Sequence, residues 1–468
     1  MELTRGRARL REIALVGGGL GLIALSAYAV LAMAGHALAP PDYAAVGSLY
    51  LLVSIVGPGI FVAVEQQTAR EVAARITSSG GDSDSGGSSG SGIGGVDSGG
   101  GWAPVLRSAA VVSARLAGLV TLGVAALSPI LVPRVFGGSW LLLFAAVLAV
   151  WGAAASYPLR GVYAGQRRFD WYGGCMAIEG VARTAACAGL VGLGVTGGGW
   201  YGLVFGFGLV ISAGLTLAGP RTGGAGPALP VARMSARVGL LAGGCGLTLV
   251  VANLGPVVLT ARLGQQDPEN AALAASFVSL FVLARIPVLL VTPVQALLLP
   301  RLTAAAERGA FDVLRGLVRN ALLAVAAVGV PGVVVGTLWG PSAAQAIFGA
   351  PLRLSWLVAG LLGVGTVGMV AAQVLQPALV ALGRNRAAMT AWGIGAGVFA
   401  VLLALPGIPL AACVAAQVTA PAVVTALMLR VLKRSCQTHT AVTHTAVTHT
   451  DQTYTATTSS ASHDAAST

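Results

Sequence analysis

Charged residues are scarce in this sequence. Only 9% of its 468 residues are Asp, Glu, Lys or Arg, whereas a soluble globular domain carries about 25%. Acidic residues are the rarer kind, 16 against 28 basic ones, and Lys433 is the one lysine. A chain with so few charges is not built to present its whole surface to water, so the composition excludes an ordinary soluble fold.

Motifs of several nucleotide-, metal- and redox-dependent classes are also missing. The sequence contains no G-x-x-x-x-G-K-[ST] motif, so we predict that the chain has no ATPase of its own. Its five cysteines show no C-x-x-C spacing, and four of them lie in apolar segments. We therefore predict buried thiols, with no disulfide framework, no metal site and no cofactor.

Long uncharged apolar runs are what the sequence has instead. Several runs lack Asp, Glu, Lys and Arg and exceed the ~18 residues that mark a membrane span, among them 135–159, 184–220, 238–261, 320–352 and 387–429. Cutting the chain at charges, prolines and glycine-rich turns predicts an all-α polytopic membrane protein with twelve spans. The predicted spans are 13–35, 43–64, 108–132, 139–159, 174–195, 200–219, 237–261, 273–298, 318–338, 355–380, 388–405 and 409–430.

The basic residues predict the orientation of these spans. With the N-terminus inside, cytoplasmic segments hold 22 Arg or Lys residues, among them Arg160, and outer loops hold three. Trp140, Trp200, Trp339 and Trp356 then fall at outer span ends, as an aromatic belt requires. We predict a protein of the cell membrane with both termini cytoplasmic. The net charge of +12 is interpreted as this orientation signal, and no nucleic-acid partner is predicted.

The same pattern predicts a domain organisation. Two segments are too polar to join the bundles: the Gly/Ser/Asp linker 78–101 and the Thr-rich tail, both predicted to be disordered. The predicted order is a basic cytoplasmic N-terminus (1–12), an N-terminal six-helix bundle (13–219), a cytoplasmic loop (220–236), a C-terminal six-helix bundle (237–433) and a cytoplasmic tail (434–468).

An internal repeat relates the two predicted bundles. The stretch from Gly165 to Arg168 aligns with that from Gly383 to Arg386, and each follows a span that runs inward. Two six-span halves with the same orientation predict a pseudo-twofold axis along the membrane normal. Transporters use this arrangement to place a substrate cavity between the halves, near the midplane.

Three stretches resemble a known family. The segment "LAPPDYAAVGSLYLLVSIVGPGIFVAVEQQTAREVAAR" (38–75) resembles the opening hairpin of polysaccharide and oligosaccharide-lipid flippases of the multidrug/oligosaccharidyl-lipid/polysaccharide exporter superfamily. "YPLRGVYAGQRRFDWY" is similar to the fourth inner loop of that family, and "RIPVLLVTPVQALLLPRLTAA" to the end of its eighth span. The resemblance covers roughly residues 10–433.

This resemblance implies an architecture and a substrate. The expected fold has two six-helix bundles around a central cavity lined by spans one, two, seven and eight. The expected substrate is an undecaprenyl-pyrophosphate-linked oligosaccharide, a polysaccharide precursor that alternating access flips from the inner to the outer leaflet. The implied partners are this lipid-linked glycan, membrane lipids and polysaccharide assembly proteins.

Arg285 is the main candidate for a substrate contact. It lies in the middle of predicted span eight, where a charge costs about 2.5–3.5 kcal/mol on insertion scales. On a continuous helix, Thr292 falls about 20° and Gln295 about 80° from Arg285, which predicts one polar face. A guanidinium pairs bidentately with phosphate oxygens, so this face is predicted to meet the pyrophosphate. Pairing with a helix carbonyl, or snorkelling, is the structural alternative.

Other polar residues are weaker candidates. Asn253 and Thr260 share one face of span seven and are predicted to line the cavity, with interhelical hydrogen bonding as an equal alternative. Glu179 and Arg183 are predicted to form an intramembrane i,i+4 pair. The predicted cytoplasmic gate consists of Glu65, Gln66, Arg70 and Arg301, unless Glu65 and Gln66 are simply solvated.

Two further functions stay open at this level. The first is a cation-coupled antiporter of drugs or small molecules from the same superfamily, although span one lacks the acidic residue that such antiporters tend to carry. The second is a degenerate scaffold that transports nothing. A membrane glycosyltransferase or polymerase would be expected to have a large outer loop with clustered carboxylates, and the sequence has no such loop. We therefore predict that the chain is not an enzyme.

Overall fold

The computed structural model describes residues 2–81, 101–218, 227–264, 266–289, 291–349, 351 and 353–464. Twelve helices in this part of the chain are long and apolar enough to cross a membrane. The prediction of an all-α polytopic membrane protein with twelve spans in two bundles is confirmed. The predicted linker 78–101 lies almost entirely outside the described residues, apart from the end of one helix and Gly101.

Helices account for nearly all of the described chain, and no strand is found there. The N-terminal half contains α1 (Glu2–Ala37), α2 (Pro40–Val56), α3 (Val62–Gly81), α4 (Ala103–Ile130), α5 (Trp140–Gly165), α6 (Phe169–Gly192) and α7 (Gly198–Ala218). The C-terminal half contains α8 (Val231–Leu263), α9 (Pro268–Ala284), α10 (Ile286–Leu289), α11 (Val291–Glu307), α12 (Phe311–Phe348), α13 (Trp356–Ala381), α14 (Asn385–Ala404) and α15 (Pro409–Asp464).

Local sequence signals explain where several of these helices begin and end. Two prolines open α2, where the missing N–H groups need no partner within the helix. The Asp267 side chain caps α9 by accepting a hydrogen bond from the Glu269 amide at 3.1 Å. At the end of α12, Gly349 adopts the left-handed conformation (φ 64°) that favours glycine.

Span two is one long helix with a local irregularity. A π-helical turn at Gly57–Phe61, containing Pro58, joins α2 to α3, and together they form a single span from Pro40 to Thr77. Proline cannot donate the backbone hydrogen bond of a regular helix, so the turn widens around it. The turn packs against α8, with Gly59 close to Leu249.

The last helix differs from the sequence-based expectation. α15 continues to Asp464 and so includes most of the tail that the sequence predicts to be disordered. After Pro421 the sequence contains no proline or glycine, and therefore nothing in it interrupts the helix.

Packing divides the helices into two groups that meet along α2, α8 and α9. In the N-terminal half, α1 lies along α6, and α5 contacts α3, α4 and α7. In the C-terminal half, α13 contacts α12 and α15, while α14 and α15 also contact α8. Because α2 packs against both α8 and α9, the junction of the halves runs past spans two, seven and eight.

Candidate substrate site in the membrane

Span eight is broken at Arg285. α9 ends at Ala284, Arg285 follows it outside the helix, and α10 begins at Ile286. Pro287 explains the break, because its ring would collide with the carbonyl of Leu283 in a continuous helix and it has no N–H to donate. The polar face that the sequence predicts from Arg285 to Gln295 assumes a continuous helix, and this break interrupts it.

The Arg285 side chain is half-buried and has mixed surroundings. Its Nη2 donates to Oε1 of Gln417 at 2.8 Å, and its guanidinium carbon lies 4.7 Å from the centre of the Phe281 ring. Its Nε and Nη1 are buried without a hydrogen-bond partner. Among the described residues no carboxylate forms an ion pair with it. This cation therefore retains unused donors, whereas buried polar groups are normally satisfied.

Neighbouring helices indicate the depth of Arg285. Gln417 lies eight residues into α15, and Tyr28, whose hydroxyl donates to the Val282 carbonyl at 3.2 Å, lies nine residues before the end of α1. At 1.5 Å per residue these positions are roughly 12 and 14 Å from the predicted outer helix ends. The hydrocarbon core of a bilayer is about 30 Å thick, so we expect Arg285 to lie within it.

The other predicted substrate contacts are not gathered around Arg285. Gln295 donates to the Gln373 carbonyl at 2.7 Å, within the C-terminal half, and Asn253 donates to the Leu249 carbonyl of its own helix at 3.2 Å. Thr260 is fully buried and accepts from Ser48 at 3.3 Å, so it joins spans two and seven. The side chain of Thr292 lies outside the described residues.

A second buried charge cluster lies within the N-terminal bundle. Glu179 is 1% exposed and bonds to two arginines: Arg160, in a short contact, and Arg183, at 2.5 Å. Arg160 also donates to Ser212 at 2.8 Å, and its guanidinium lies 5.1 Å from the centre of the Tyr157 ring. The pair between Glu179 and Arg183 expected from the sequence is thus part of a larger network.

The sequence predicts Arg160 in a cytoplasmic loop, and this prediction is wrong. The structure extends α5 to Gly165 and leaves Arg160 only 2% exposed. The error arises because a charge that ends an uncharged run is indistinguishable, by composition alone, from a loop residue. Glu179 is the one acidic residue of predicted span five, 174–195, and the sequence offers Arg183 as its neighbour but gives no sign of the second arginine.

Glu65 belongs beside this cluster and not with the predicted gate. It is 6% exposed, and its Oε1 accepts a hydrogen bond from the Tyr172 hydroxyl at 2.7 Å. Gln66, Arg70 and Arg301 are exposed. Glu65 is buried because its side of α3 packs closely on α5: a Cβ added at Gly161 would lie 2.5 Å from the Glu65 carbonyl oxygen. The alternative prediction that Glu65 is simply solvated is therefore wrong.

Metal binding has no obvious site here. Within the part of the chain that the structure describes, no three or more His, Cys, Asp or Glu side chains are grouped so that they could hold a metal ion.

Comparison with known proteins identifies the fold. No family model and no curated protein matches the sequence. Among solved structures, an inward-facing multidrug resistance MATE family transporter of the MOP superfamily matches with a TM-score of 0.63 at 13% identity, over 89% of this chain and 95% of that one. A point mutant of the Vibrio cholerae MATE transporter VcmN matches with a TM-score of 0.57 at 14% identity, over 90% and 96%. This chain has the MATE fold.

The MATE structures have the architecture that the predicted resemblance implies. Identities of 13% and 14% extend to the fold alone, so the superfamily and the flippase family within it stay predictions. An outward-facing MATE structure also matches, with a TM-score of 0.54 at 13% identity over 92% of this chain and 96% of that one.

The halves of this MATE fold end spans four and ten in the same way. After α5 the amides of Gln166, Arg167 and Arg168 bond to carbonyls four, three and five residues back, and the three residues after α13 repeat this pattern. Arg167 (φ 58°) and Gly383 (φ 70°) both adopt the left-handed conformation of a Schellman cap. They are structural equivalents, whereas the sequence alignment pairs Arg167 with Asn385 and is two residues out of register.

The halves are held together at the predicted outer end. Backbone contact between α1 and α12 is so close that a Cβ at Gly35 would collide with the Phe348 carbonyl. Deeper in this junction, Ser279 donates to the Tyr43 hydroxyl at 3.1 Å. α11, the inner part of span eight, packs instead against α12 and α13 of its own half. Span one is therefore joined to span nine, and span two to span eight, near their predicted outer ends.

Proposed function

We propose that this chain is a membrane transporter that moves an undecaprenyl-pyrophosphate-linked oligosaccharide from the inner to the outer leaflet by alternating access. The observation that carries the proposal is Arg285, a cation inside the eighth candidate span with two buried, unpartnered N–H-bearing nitrogens. Among the described residues it has no carboxylate partner. A diphosphate offers the charge and the acceptors that this guanidinium lacks.

The location of Arg285 supports a transport role. It follows the outer segment of span eight, which contacts span two of the other half, and it is linked through Gln417 to span twelve. Span eight is broken directly after α9, so the segments on either side of Arg285 can change their relative angle. In membrane transporters built from two repeats, discontinuous helices are common at substrate sites near the midplane.

The MATE fold supports alternating access as the mechanism. The contacts at Gly35 and between Ser279 and Tyr43 join the two halves at the predicted outer end. We propose that the diphosphate headgroup enters from the inner side, pairs with Arg285, and leaves after the outer contacts separate. The glycan would then be available to polysaccharide assembly proteins on the outer side.

Antiport of cationic drugs is the second candidate, and its support is the multidrug resistance description of the matching MATE structure. An organic cation needs an accessible carboxylate or an aromatic box. The two buried carboxylates in the described residues, Glu65 and Glu179, are already engaged by Tyr172 and by two arginines. The charge of Arg285 would repel a cation, so the lipid-linked anion is the better fit.

Reconstituted vesicles provide the test. Purified protein is incorporated into liposomes containing a fluorescent undecaprenyl-pyrophosphate oligosaccharide, and the fraction of glycan exposed to an external enzyme is followed with time. We expect Arg285→Ala to slow flipping at least about tenfold, the effect of roughly 1.4 kcal/mol. Arg285→Lys should keep part of the rate, because it retains the charge but loses the bidentate geometry. Arg386→Ala, an exposed residue at the inner end of α14, is the matched control and should equal the wild type.

Two results would contradict the proposal. One is a wild-type rate for Arg285→Ala under conditions where the wild type flips the lipid. The other is a wild type that does not move the lipid-linked glycan but exchanges a cationic dye for protons or sodium, which would establish the antiporter instead.

A further inference from the structure

An amphiphilic cavity lies between the inner part of span eight and the start of span nine. Its volume is about 420 Å³, within the range of small-ligand sites. Two arginines and a set of small or apolar residues line it: Pro300, Arg301, Ala304, Ala305, Arg308, Ala310, Val313 and Leu317.

The two arginines share one side of α11 and its extension. Seven residues separate Arg301 from Arg308, which on a helix corresponds to about 10 Å along the axis and a rotation of only about 20°. Both residues are exposed, and both line the cavity. This spacing lets both guanidiniums approach one phosphodiester group and its glycerol neighbourhood.

The immediate surroundings keep this end of the cavity positive. Asp312 is paired with Arg315 at 2.8 Å, so its charge is already compensated. The segment from Arg301 to Arg319 holds four arginines and two acidic residues, Glu307 and Asp312. The net charge of +2 favours an anionic occupant.

The remaining wall is apolar. Val313 and Leu317 are one turn apart on α12, and Ala304 and Ala305 face them from α11. Both helices meet at the predicted inner surface, around the turn at Gly309 (φ 66°). A lipid headgroup there would lie level with the arginines while an acyl chain ran along the small side chains.

We propose that this cavity binds one anionic phospholipid of the inner leaflet, with its phosphate on Arg301 and Arg308 and one acyl chain against α11 and α12. Basic pockets between membrane helices on the cytoplasmic side are suited to such headgroups. The bound lipid is not the transported substrate: it lies on the junction of α11 and α12, on the inner side of the break at Arg285. The proposal therefore stands independently of the proposed transport function.

Native mass spectrometry of the full chain, released from detergent with added lipid, tests this site. The wild type should retain one phosphatidylglycerol and no phosphatidylcholine. The double variant Arg301→Gln with Arg308→Gln should bind phosphatidylglycerol at least about tenfold more weakly, since each arginine near the surface contributes appreciably to anionic lipid binding. The control is Arg384→Gln with Arg386→Gln, two exposed arginines at the corresponding end of spans ten and eleven, and it should bind like the wild type.

Two further measurements test whether the acyl chain and the phosphate are both needed for binding. Ala304→Leu should weaken binding by filling the apolar wall without changing the charge. Inorganic phosphate at millimolar concentration should not displace the lipid, because it lacks the chain. The proposal is overturned if the arginine variant and the control lose equal amounts of lipid, if phosphatidylcholine is retained equally, or if phosphate alone displaces the lipid.

Discussion

Arg160 and Arg183 in the N-terminal bundle carry the same charge as Arg285 in span eight, but their surroundings are opposite. The first two share Glu179, and Glu65 lies nearby, so two arginines and two glutamates are balanced inside one bundle. Arg285 has an amide oxygen and an aromatic ring, and two of its nitrogens have no partner. The comparison teaches that an intramembrane arginine indicates a ligand site only when its charge is left uncompensated.

Among substitutions that test this difference, removing Glu179 should change the stability of the protein most. Glu179→Gln leaves two buried guanidiniums without their carboxylate, and breaking a buried ion pair in this way costs about 3–5 kcal/mol. We expect a much lower yield of monodisperse protein and a large fall in the midpoint of thermal unfolding in detergent.

A fourfold replacement is the control for that variant. Arg160→Met, Glu179→Leu, Arg183→Met and Glu65→Gln together remove all four charges, and such neutral replacements of buried ion pairs are often neutral or stabilising. The fourfold variant should therefore be more stable than Glu179→Gln. If Glu179→Gln unfolds like the wild type, the cluster is not a structural element.

A substitution that adds a methyl group beside Arg183 should have the next largest effect on stability. A Cβ at Gly208 would lie 2.5 Å from Nε of Arg183, so Gly208→Ala must displace the arginine. Overpacking of this kind costs typically about 1–3 kcal/mol. Gly214 is the matched control on the same helix, because a Cβ there meets nothing within 4 Å. Thermal unfolding should separate the two variants, and equal midpoints would contradict the tight fit around Arg183.

A smaller effect is expected at Tyr172. Tyr172→Phe removes the hydroxyl that donates to Glu65 and leaves a buried carboxylate oxygen without this donor, at a cost of about 1–2 kcal/mol. Thermal unfolding in detergent again measures the change. Tyr201→Phe serves as the control, since its hydroxyl donates to a backbone carbonyl, that of Val195, and not to a charged group. A fall for Tyr172→Phe no greater than that for Tyr201→Phe would show that the carboxylate does not depend on this hydroxyl.

Arg285 should give the smallest stability change of all. Arg285→Met removes a charge that no carboxylate compensates, so relief of desolvation offsets the lost bond to Gln417 and the lost ring contact. We expect the free energy of unfolding to stay within about 1 kcal/mol of the wild type. A collapse like that of Glu179→Gln would place Arg285 among the structural arginines and remove the basis for the proposed substrate contact.

The architecture could be predicted because its physical cause is visible in single residues. Long runs without charge are typical of membrane spans, and the exposed Trp140, Trp200 and Trp356 lie in the first turn of their helices, where an aromatic belt is expected. Trp339 lies nine residues before the end of α12, so the predicted position of this tryptophan at a span end is wrong. Twelve spans and two bundles follow from these patterns. The family resemblance adds a substrate class that neither the fold nor 13% identity can test.

The candidate site was only partly predictable, because it depends on interruptions and on partners distant in sequence. Arg285 stands out in the sequence, and Pro287 was visible as a source of distortion, but the position of the break decides which side chains share a face. Gln417, the residue that Arg285 contacts, is 132 positions away. Arg160 was missed because burial depends on how far α5 continues past the apolar run, and composition does not contain this information.

Arg285 also has an electrical consequence. A charge carried through a membrane potential of 100 mV changes the energy by about 2.3 kcal/mol, so a charge halfway across feels roughly half of that when its access switches sides. Arg160 and Arg183 of the N-terminal bundle add no such voltage-dependent energy, because glutamates compensate their charges. An empty carrier should therefore respond to voltage as a cation, and a carrier loaded with a diphosphate as an anion. Polarisation of the membrane would thus drive the empty and loaded forms in opposite directions and give the transport cycle a direction of its own.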